Sequence, residues 1–543
     1  MYRPLDHSRK EIRLLVVQPR RDDELLRCSF DYAVLASPER PQYETISYVW
    51  ADETKRGDIE VDGTLISVPL SALVALRCIR RLDIERVVWI DAVCINQGDN
   101  DERGLQVAMM ADIYMGGICN LAILDGDEFG QGDLAARAIE QIKERALEEF
   151  GDEDKLSNMW VNELPEKLPP LSIDITRDSV DVIDLLHINQ MMVYLMLDPY
   201  RDRGVCQKIM DTSNLTNLRE IAYLCRYPPD MLIYMDELLD TASSFDVKDA
   251  RDRVYGMLGL FRRGRDLPEL PQFLVPDYTK DPNIVIRDAT RFAIVSKCYM
   301  DVLWRTQRRM VDGINVEKPS WVPSLRQPYR EGELCRNFSW DNAAHGAGHF
   351  RAELAPFSSV LGDGILTVKG LALDTVCART RPVNDLDTAR QLRHFLDSAV
   401  ALSTQPPCPS NTPLQDLEST LIAGVHAATH GHAPLETLLA WTREKGEAAQ
   451  PMPYITDVYN YQQSRCFFTT FTGRIGIGPD YLAEGDTIAV LTGIEWPLAL
   501  RRIDDETELY ILLGPCYVHG VMQGEAVAKH DEEGLLWRWF HLV

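Results

Sequence analysis

The sequence predicts a multi-domain α+β chain: an α/β N-terminal domain on a parallel sheet, then a mainly helical section, then a C-terminal antiparallel β unit. Three observations carry this. Between Tyr43 and Gly126, three apolar strand-like runs alternate with stretches of helical periodicity. Over 179–197 and again over 214–260 the apolar spacing is helical. Beyond residue 364, short apolar or alternating runs lie between Gly, Pro and Asp turns, the pattern of an antiparallel sheet.

Taken in order, Glu44-Thr45-Ile46-Ser47-Tyr48-Val49-Trp50 gives the first strand, and 71–81 has Leu, Val and Ala at helical spacing. Val87-Val88-Trp89-Ile90-Asp91-Ala92-Val93-Cys94-Ile95-Asn96-Gln97 follows; a run this apolar suits a strand buried on both faces, with polar working residues at its carboxyl end. Asp99, Asn100 and Asp101 can cap the next helix. That helix is expected to set Leu105, Val107, Met110, Ile113 and Tyr114 on one side, with Glu102, Arg103, Gln106 and Asp112 outside or toward a cleft. Leu121-Ala122-Ile123-Leu124 returns as a third strand, so the order argues for parallel strands with right-handed crossovers.

The acidic stretch 125–166 reads as an insertion or a solvated helix, closed by Pro165, Pro169 and Pro170. Leu185, Leu186, Ile188, Met191 and Met192 form an apolar stripe that reads as core packing. In the last third, Gly364-Ile365-Leu366-Thr367-Val368-Lys369-Gly370, Thr487-Ile488-Ala489-Val490-Leu491, Leu498-Ala499-Leu500-Arg501-Arg502 and Leu509-Tyr510-Ile511-Leu512-Leu513 read as strands. A helical insertion with a Pro-rich edge, Gln405-Pro406-Pro407-Cys408-Pro409-Ser410, separates the first of them from the rest. The expected domains are 1–150 with an α/β core at about 43–126, a helical section at 151–330 packed on it, and a β-rich domain at 355–543 with a helical insertion at about 385–450.

With 543 residues and 45% hydrophobic content, the chain has enough apolar side chains for sizeable cores. Its 57 Lys and Arg stand against 83 Asp and Glu, and a net charge of -26 repels phosphate backbones, which argues against general nucleic-acid binding. Arg80, Arg81 and Arg86 cluster, but an ordinary helix end explains them as well. Neither a secretory h-region nor about 18 uninterrupted apolar residues is present, so a cytoplasmic chain with no membrane span is expected. The 12 cysteines are scattered without a Cys-x-x-Cys pair, which suits reduced thiols.

Generic catalytic signatures are missing: no Gly-x-Ser-x-Gly elbow, no phosphate-binding Gly-x-x-x-x-Gly-Lys-Ser/Thr loop, no His-Glu-x-x-His pair. Gly473-Arg474-Ile475-Gly476-Ile477-Gly478 departs from the dinucleotide spacing and reads as a turn among strands. His426, His430 and His432 could meet on a helix, but with no nearby Cys and an intervening Gly no metal is assigned to them.

The polar residues at the strand ends form the remaining candidate site. Ser47 and Trp50 follow the first strand; Asp91, Asn96 and Gln97 surround the second; Glu102 and Arg103 open the next helix. A helix N-terminus beside Arg103 favours an anionic group, and Trp50 offers a stacking face. Asp91 or Glu102 can hold ribose hydroxyls or a developing cation. Structural parts stand beside these: Asp91 paired with Arg103, Asn96 capping the turn, Glu102 a first-turn helix charge.

The motifs Tyr43-Glu44-Thr45-Ile46-Ser47-Tyr48-Val49-Trp50, Trp89-Ile90-Asp91-Ala92-Val93-Cys94-Ile95-Asn96-Gln97, Glu102-Arg103, Gln106-Val107, Met110 and Ile113-Tyr114 resemble the fungal heterokaryon-incompatibility (HET) domain. The likeness extends upstream to Tyr2-Arg3-Pro4-Leu5 and Glu11-Ile12-Arg13-Leu14-Leu15. Downstream it takes in Asp249-Ala250-Arg251-Asp252-Arg253-Val254-Tyr255-Gly256-Met257-Leu258-Gly259-Leu260, Val275-Pro276-Asp277-Tyr278, Pro319-Ser320-Trp321-Val322-Pro323 and the tail from Gly514 to Glu525. It implies an intracellular effector of non-self recognition and programmed cell death, acting through protein partners and self-association.

HET domains are in turn distantly similar to Toll/interleukin-receptor (TIR) domains, flavodoxin-like modules some of which cleave NAD at the nicotinamide bond. That resemblance implies an alternative, an NAD(P) glycohydrolase; on the candidate site above its catalytic acid is Asp91, Glu102 or a carboxylate elsewhere in the chain, with Ser47, Trp50, Asn96, Gln97 and Arg103 as ligand contacts. No cofactor is required, NAD entering only as substrate or ligand. Two departures weigh against turnover: Trp50-Ala51 stands where the family has Trp-Gly, and in Tyr200-Arg201-Asp202-Arg203-Gly204-Val205-Cys206-Gln207-Lys208 the family's acidic position falls on Lys208, whose ammonium cannot stabilise a cation. A third reading is a scaffold whose C-terminal β unit, 355–543, recognises another protein.

Overall fold

A computed structural model of the chain describes residues 2–19, 25–48, 50, 54–123, 234–243, 247–264, 270–297, 300, 302–303, 319–323, 325, 352, 354, 364–382, 389–408, 414–423, 465–503, 508–530, 532 and 534–543. The expectations for 125–166, 179–197, 200–208, 214–233 and the three histidines at 426, 430 and 432 lie outside them. The chain divides into two units, Met1–Ile233 with Ser244–Asp281, and Tyr234–Ser243 with Pro282–Val543.

The first unit is built on seven strands: β1 (Glu11–Val17), β2 (Arg27–Val34), β3 (Glu44–Tyr48), β4 (Arg56–Val61), β5 (Thr64–Pro69), β6 (Arg86–Trp89) and β7 (Cys119–Ile123). They lie in the order β5-β4-β2-β1-β6-β3-β7. The three runs read from the sequence are β3, β6 and β7, and they are parallel, with β3 in the middle. As a whole, however, the sheet is mixed rather than parallel. β1 runs antiparallel to both β6 and β2, and β4–β5 is a hairpin. The hairpin turns at Asp62 and Gly63, whose φ of 51° and 76° are what a two-residue turn of matching twist requires.

Helix α1 (Leu70–Ile79) buries Ala72, Leu73, Ala75, Leu76 and Ile79 in the core formed with Ile12, Leu14, Leu15, Ile46 and Val88 of the sheet. Beyond its end, Arg80 donates to the carbonyls of Gln18 and Pro19, and Arg86 binds Glu44 and the Ile79 carbonyl. Those two cations hold backbone and a carboxylate, so the cluster is a structural seam.

The middle run is not one strand. β6 ends at Trp89, and Asp91–Cys94 forms a single helical turn, α2, in which the amides of Val93 and Cys94 donate to the Ile90 carbonyl. Ala92, Val93, Cys94 and Ile95 are all buried, so the run is apolar because the turn is enclosed; apolar length alone cannot separate the two. The following helix is also two pieces, α3 (Asn100–Ala108) and α4 (Met110–Gly116). Asp99 caps α3, accepting from the amides of Asp101 and Glu102. The expected face is inverted on α3: Glu102 and Gln106 are buried, while Leu105 is 40% exposed. Two specific partners reverse the preference, because Glu102 meets Arg13 and Gln106 donates to the Glu11 carbonyl.

In the second unit the helices Met235–Ser243 and Pro282–Lys297 pack together, with Lys297 on Asp236 at 2.8 Å. The C-terminal strands are β8 (Leu366–Arg379), β9 (Arg465–Thr470), β10 (Ile475–Pro479), β11 (Thr487–Leu491), β12 (Leu498–Arg502), β13 (Leu509–Pro515), β14 (Tyr517–Val518) and β15 (Trp537–Leu542). Every pairing is antiparallel except β13 with β15. Because β8 pairs with β15 and also with β11, the strands β8, β11, β12, β13 and β15 close a five-stranded ring, an arrangement that abolishes sheet edges. β9, β10 and β14 extend from the far half of β8. Gly473, at φ 87°, sits in the turn between β9 and β10. Gly370 lets β8 and β11 approach: a Cβ there would lie 2.7 Å from the Val490 carbonyl oxygen. Among the described residues, no helix is long and apolar enough to cross a membrane.

Candidate functional site

Because β3 and β6 are parallel neighbours, their carboxyl ends leave the sheet on one side, which brings Trp50 to Asp91 across 41 residues of sequence. The Trp50 indole Nε1 donates to Asp91 Oδ2 at 2.9 Å, and the Ala92 amide to Oδ1 at 2.7 Å. Gln97 Nε2 donates to the Asp91 carbonyl at 3.0 Å, so Trp50, Asp91 and Gln97 form one group. The Trp50 ring stacks at 6.4 Å on Tyr48, remains 36% exposed, and has Lys248 Nζ 5.9 Å from its centroid. Trp89 and Tyr114 meet edge-on, with ring centroids 5.6 Å apart.

Burial pushes the Asp91 carboxyl up to about 6, against the pull of hydrogen bonds from Ala92, Trp50 and Tyr48. Tyr114 is raised too, first by its own burial and then by the charge of Asp91. A carboxyl that exchanges its proton near neutrality, beside a partly exposed indole and an amide, can donate or accept a proton and hold a polar planar ligand.

The raised carboxyl has a consequence for stability. The folded state binds the proton more tightly than the unfolded chain, so Asp91 disfavours folding above about pH 6, and this penalty is relieved as pH falls from about 6 toward 4. Asp91→Asn should therefore be more stable than the unaltered chain at pH 7.5, the two converging near pH 4. Urea midpoints across that range check it; a constant difference at all pH values would count against the raised carboxyl.

Glu102 and Asn96 belong to a second network. Glu102 Oε1 accepts from Arg13 Nη1 at 2.9 Å and from the Asn96 amide at 2.7 Å, and Oε2 accepts from Arg13 Nη2 at 3.3 Å. Asn96 Oδ1 accepts from the Gly98 amide, closing the turn. Arg13, fully buried, also donates to the carbonyls of Cys94 and Arg3, and its guanidinium lies 4.6 Å from the Tyr2 ring centroid. Glu102 thus faces an internal cation, not a cleft.

Arg103 stacks on Tyr278 at 3.7 Å and is not a partner of Asp91. Tyr278 donates to Asp252 Oδ1 at 2.6 Å, Arg251 grips both oxygens of Asp249, and a Cβ on Gly104 would lie 2.6 Å from the Pro276 carbonyl oxygen. The motif at 275–278 therefore docks on α3, and the motif at 249–260 is tied to it through Asp252 and lies on α4 at Gly259 and Ala111, with Lys248 just ahead of it beside Trp50. Ser47 is exposed on β3 and joins neither network.

Of the seven candidates, Trp50, Asp91 and Gln97 are joined directly, Asn96 and Glu102 are joined to each other, and Ser47 and Arg103 stand apart. Sequence reasoning missed Arg13, Tyr48, Tyr114 and Lys248. Arg13 carried a signal: a lone cation in the apolar run of β1 must find a buried partner. No group of His, Cys, Asp and Glu among the described residues is arranged to hold a metal ion.

Residues 43–182 match the model of the heterokaryon incompatibility protein (HET) family, and residues 414–537 that of the Het-6 beta-barrel domain. The first match contains β3 through β7 with Trp50, Asp91 and Gln97; the second contains β9 through β14, and so three of the five ring strands, β11, β12 and β13. The chain is also similar to heterokaryon incompatibility protein 6, OR allele, of Neurospora crassa, 22% identical over 672 aligned positions covering 96% of this chain and 95% of that protein. No solved structure matches the chain.

Proposed function

We propose, from the premise that this chain is a fungal HET-domain protein of the heterokaryon-incompatibility family, that it is a cytoplasmic effector of non-self recognition whose activation ends in programmed cell death. The observation that carries the reading is the Asp91 group lying within the HET match, at the carboxyl ends of β3 and β6, in a different unit from the closed ring. Parallel sheets place their working residues at that end. In this reading the HET unit delivers the signal, and the barrel unit meets protein partners or a second copy of the chain. The name of the Neurospora relative supports the same process.

The parallel trio β6-β3-β7, with its first strand in the middle, is what supports a flavodoxin-like, TIR-like core; beyond β6 the sheet continues into the antiparallel β1. The carboxyl at about 6 favours a second reading, in which Asp91 acts on an NAD-like ligand that stacks on Trp50 and is held by Gln97, with Ser47 at the rim. Glu102 is the weaker candidate because both its oxygens serve Arg13.

Expressing the full chain and its Asp91→Asn form in a fungal host at equal levels tests the main reading. Loss of viability with the first and survival with the second is expected; equal killing by both would remove Asp91 from the effector role, and no killing under self-associating conditions would remove the role itself. Nicotinamide release from NAD by the purified chain, abolished by Asp91→Asn, would favour the enzymatic reading.

A further inference from the structure

We propose that Tyr2, acting with Arg13, is a positioning residue for Asp91: the N-terminal segment fixes the turn that presents the carboxyl to Trp50. The inference rests on Asp91 being the working group of the HET unit. A four-residue helix such as α2 leaves its last carbonyls without helical partners. The Asp91 carbonyl is taken by the Ile95 amide and Gln97 Nε2. The last two carbonyls of the turn, those of Val93 and Cys94, are filled from far away in sequence. Tyr2 donates its hydroxyl to the Val93 carbonyl at 3.0 Å, 91 residues on, and Arg13 Nη1 donates to the Cys94 carbonyl at 2.6 Å, 81 residues on.

The two donors are themselves one piece. The Arg13 guanidinium lies against the Tyr2 ring, Nη2 holds the Arg3 carbonyl, and Arg3 pairs with Glu11 through two hydrogen bonds of 2.7 and 3.0 Å. The Tyr2 ring also packs on Phe30 of β2 at 5.6 Å. Asp91 therefore sits between two anchors: the indole of Trp50 on its side chain, and the N-terminal segment on the far end of its own helical turn. Such outer contacts fix the rotamer and burial of a working group.

The groups facing Asp91 are Tyr48 and Trp50 from β3 and its exit, Tyr114 from α4, and Cys94 within α2, with Lys248 over the indole. None of them is altered by Tyr2→Phe, which removes one hydroxyl and keeps the ring. Removing that donor frees the Val93 carbonyl, loosens α2 and lets water reach the carboxyl.

The test uses the full chain labelled with 5-fluorotryptophan, the Trp50 resonance being assigned by its loss in Trp50→Phe. Its 19F shift is followed with pH. The unaltered chain should titrate near 6; Tyr2→Phe should move the midpoint down by about half a unit or more, roughly a threefold change in the ionisation constant, toward the ordinary carboxylate range. Tyr43→Phe is the control: it deletes a buried tyrosine bond to the Ile113 carbonyl without touching α2, and should leave the midpoint in place. A Tyr2→Phe midpoint equal to that of the unaltered chain, or a Tyr43→Phe midpoint shifted just as far, overturns the positioning role and leaves the site intact. A Trp50 signal that does not titrate at all in the unaltered chain overturns the site and the positioning role together.

Discussion

Replacing Arg13 with Met is expected to cost the N-terminal unit about 3–5 kcal/mol, because it strands a carboxylate that water cannot reach. Glu102 is 4% exposed and Arg13 0%, and the pair is joined by two hydrogen bonds. Without the guanidinium, Glu102 keeps only the Asn96 amide, and the carbonyls of Cys94 and Arg3 each lose a donor. The double variant Arg13→Met with Glu102→Leu removes the unpaired charge and should recover part of the loss. Recovery stays incomplete, since the Asn96 amide and the Cys94 carbonyl remain without their partners. Urea unfolding and hydrogen exchange of the β1 and β6 amides check this. A single variant within about 1 kcal/mol of the unaltered chain would show that the pair is not a buried keystone.

That pair also shows where the sequence stops being readable. β3, β6 and β7 were legible because each carries a short apolar run, around Ile46, Val87-Val88-Trp89 and Leu121 to Ile123, bounded by polar turn formers, and their parallel order follows from the helical spacing between them. The nearness of Trp50 to Asp91 then needs no further information, since parallel neighbours share an exit side. β1 and β2 make the sheet mixed, and nothing in the spacing of 11–34 says whether that hairpin joins β6 or stands elsewhere. Glu102 was misplaced for a related reason. A helix face is assigned by polarity, and polarity misleads when a buried cation waits 89 residues upstream. The inverted face of α3, with Leu105 outside and Gln106 inside, follows from the same hidden partners. In the C-terminal unit the strands at 487–491 and 498–502 fall where the alternation put them. Closure of the ring was not legible, because it depends on β8 spanning 14 residues and pairing on both edges. Lys248 lies in a motif-rich segment whose likeness to known sequences marks the segment without saying which side chain reaches Trp50.

Trp321 should be the most sensitive single position of the barrel unit. Residues 319–323 cross the ring where β13 and β15 share only two residue pairs, the thinnest ladder in the closure. Ser320 fills the gap: its amide donates to the Val543 carbonyl at 2.6 Å, and its hydroxyl accepts from the Leu512 amide at 2.9 Å. Trp321, fully buried, carries its indole N–H to the Gly364 carbonyl just ahead of β8, at 2.8 Å. One short segment thus ties the last strand, β13 and the approach to β8, the members that must stay together for the ring to remain closed. Trp321→Ala removes a large buried ring and leaves a cavity there, a loss of about 3–5 kcal/mol. For a unit of this size that is about 6–20 °C in melting temperature. Trp321→Phe keeps most of the volume and gives up the hydrogen bond, so about 1–2 kcal/mol is expected. Differential scanning calorimetry of both variants decides between packing and hydrogen bonding as the larger contribution. Equal losses for Ala and Phe would assign the effect to the indole N–H, and a loss below about 1 kcal/mol for Ala would mean that the ring closes without this segment.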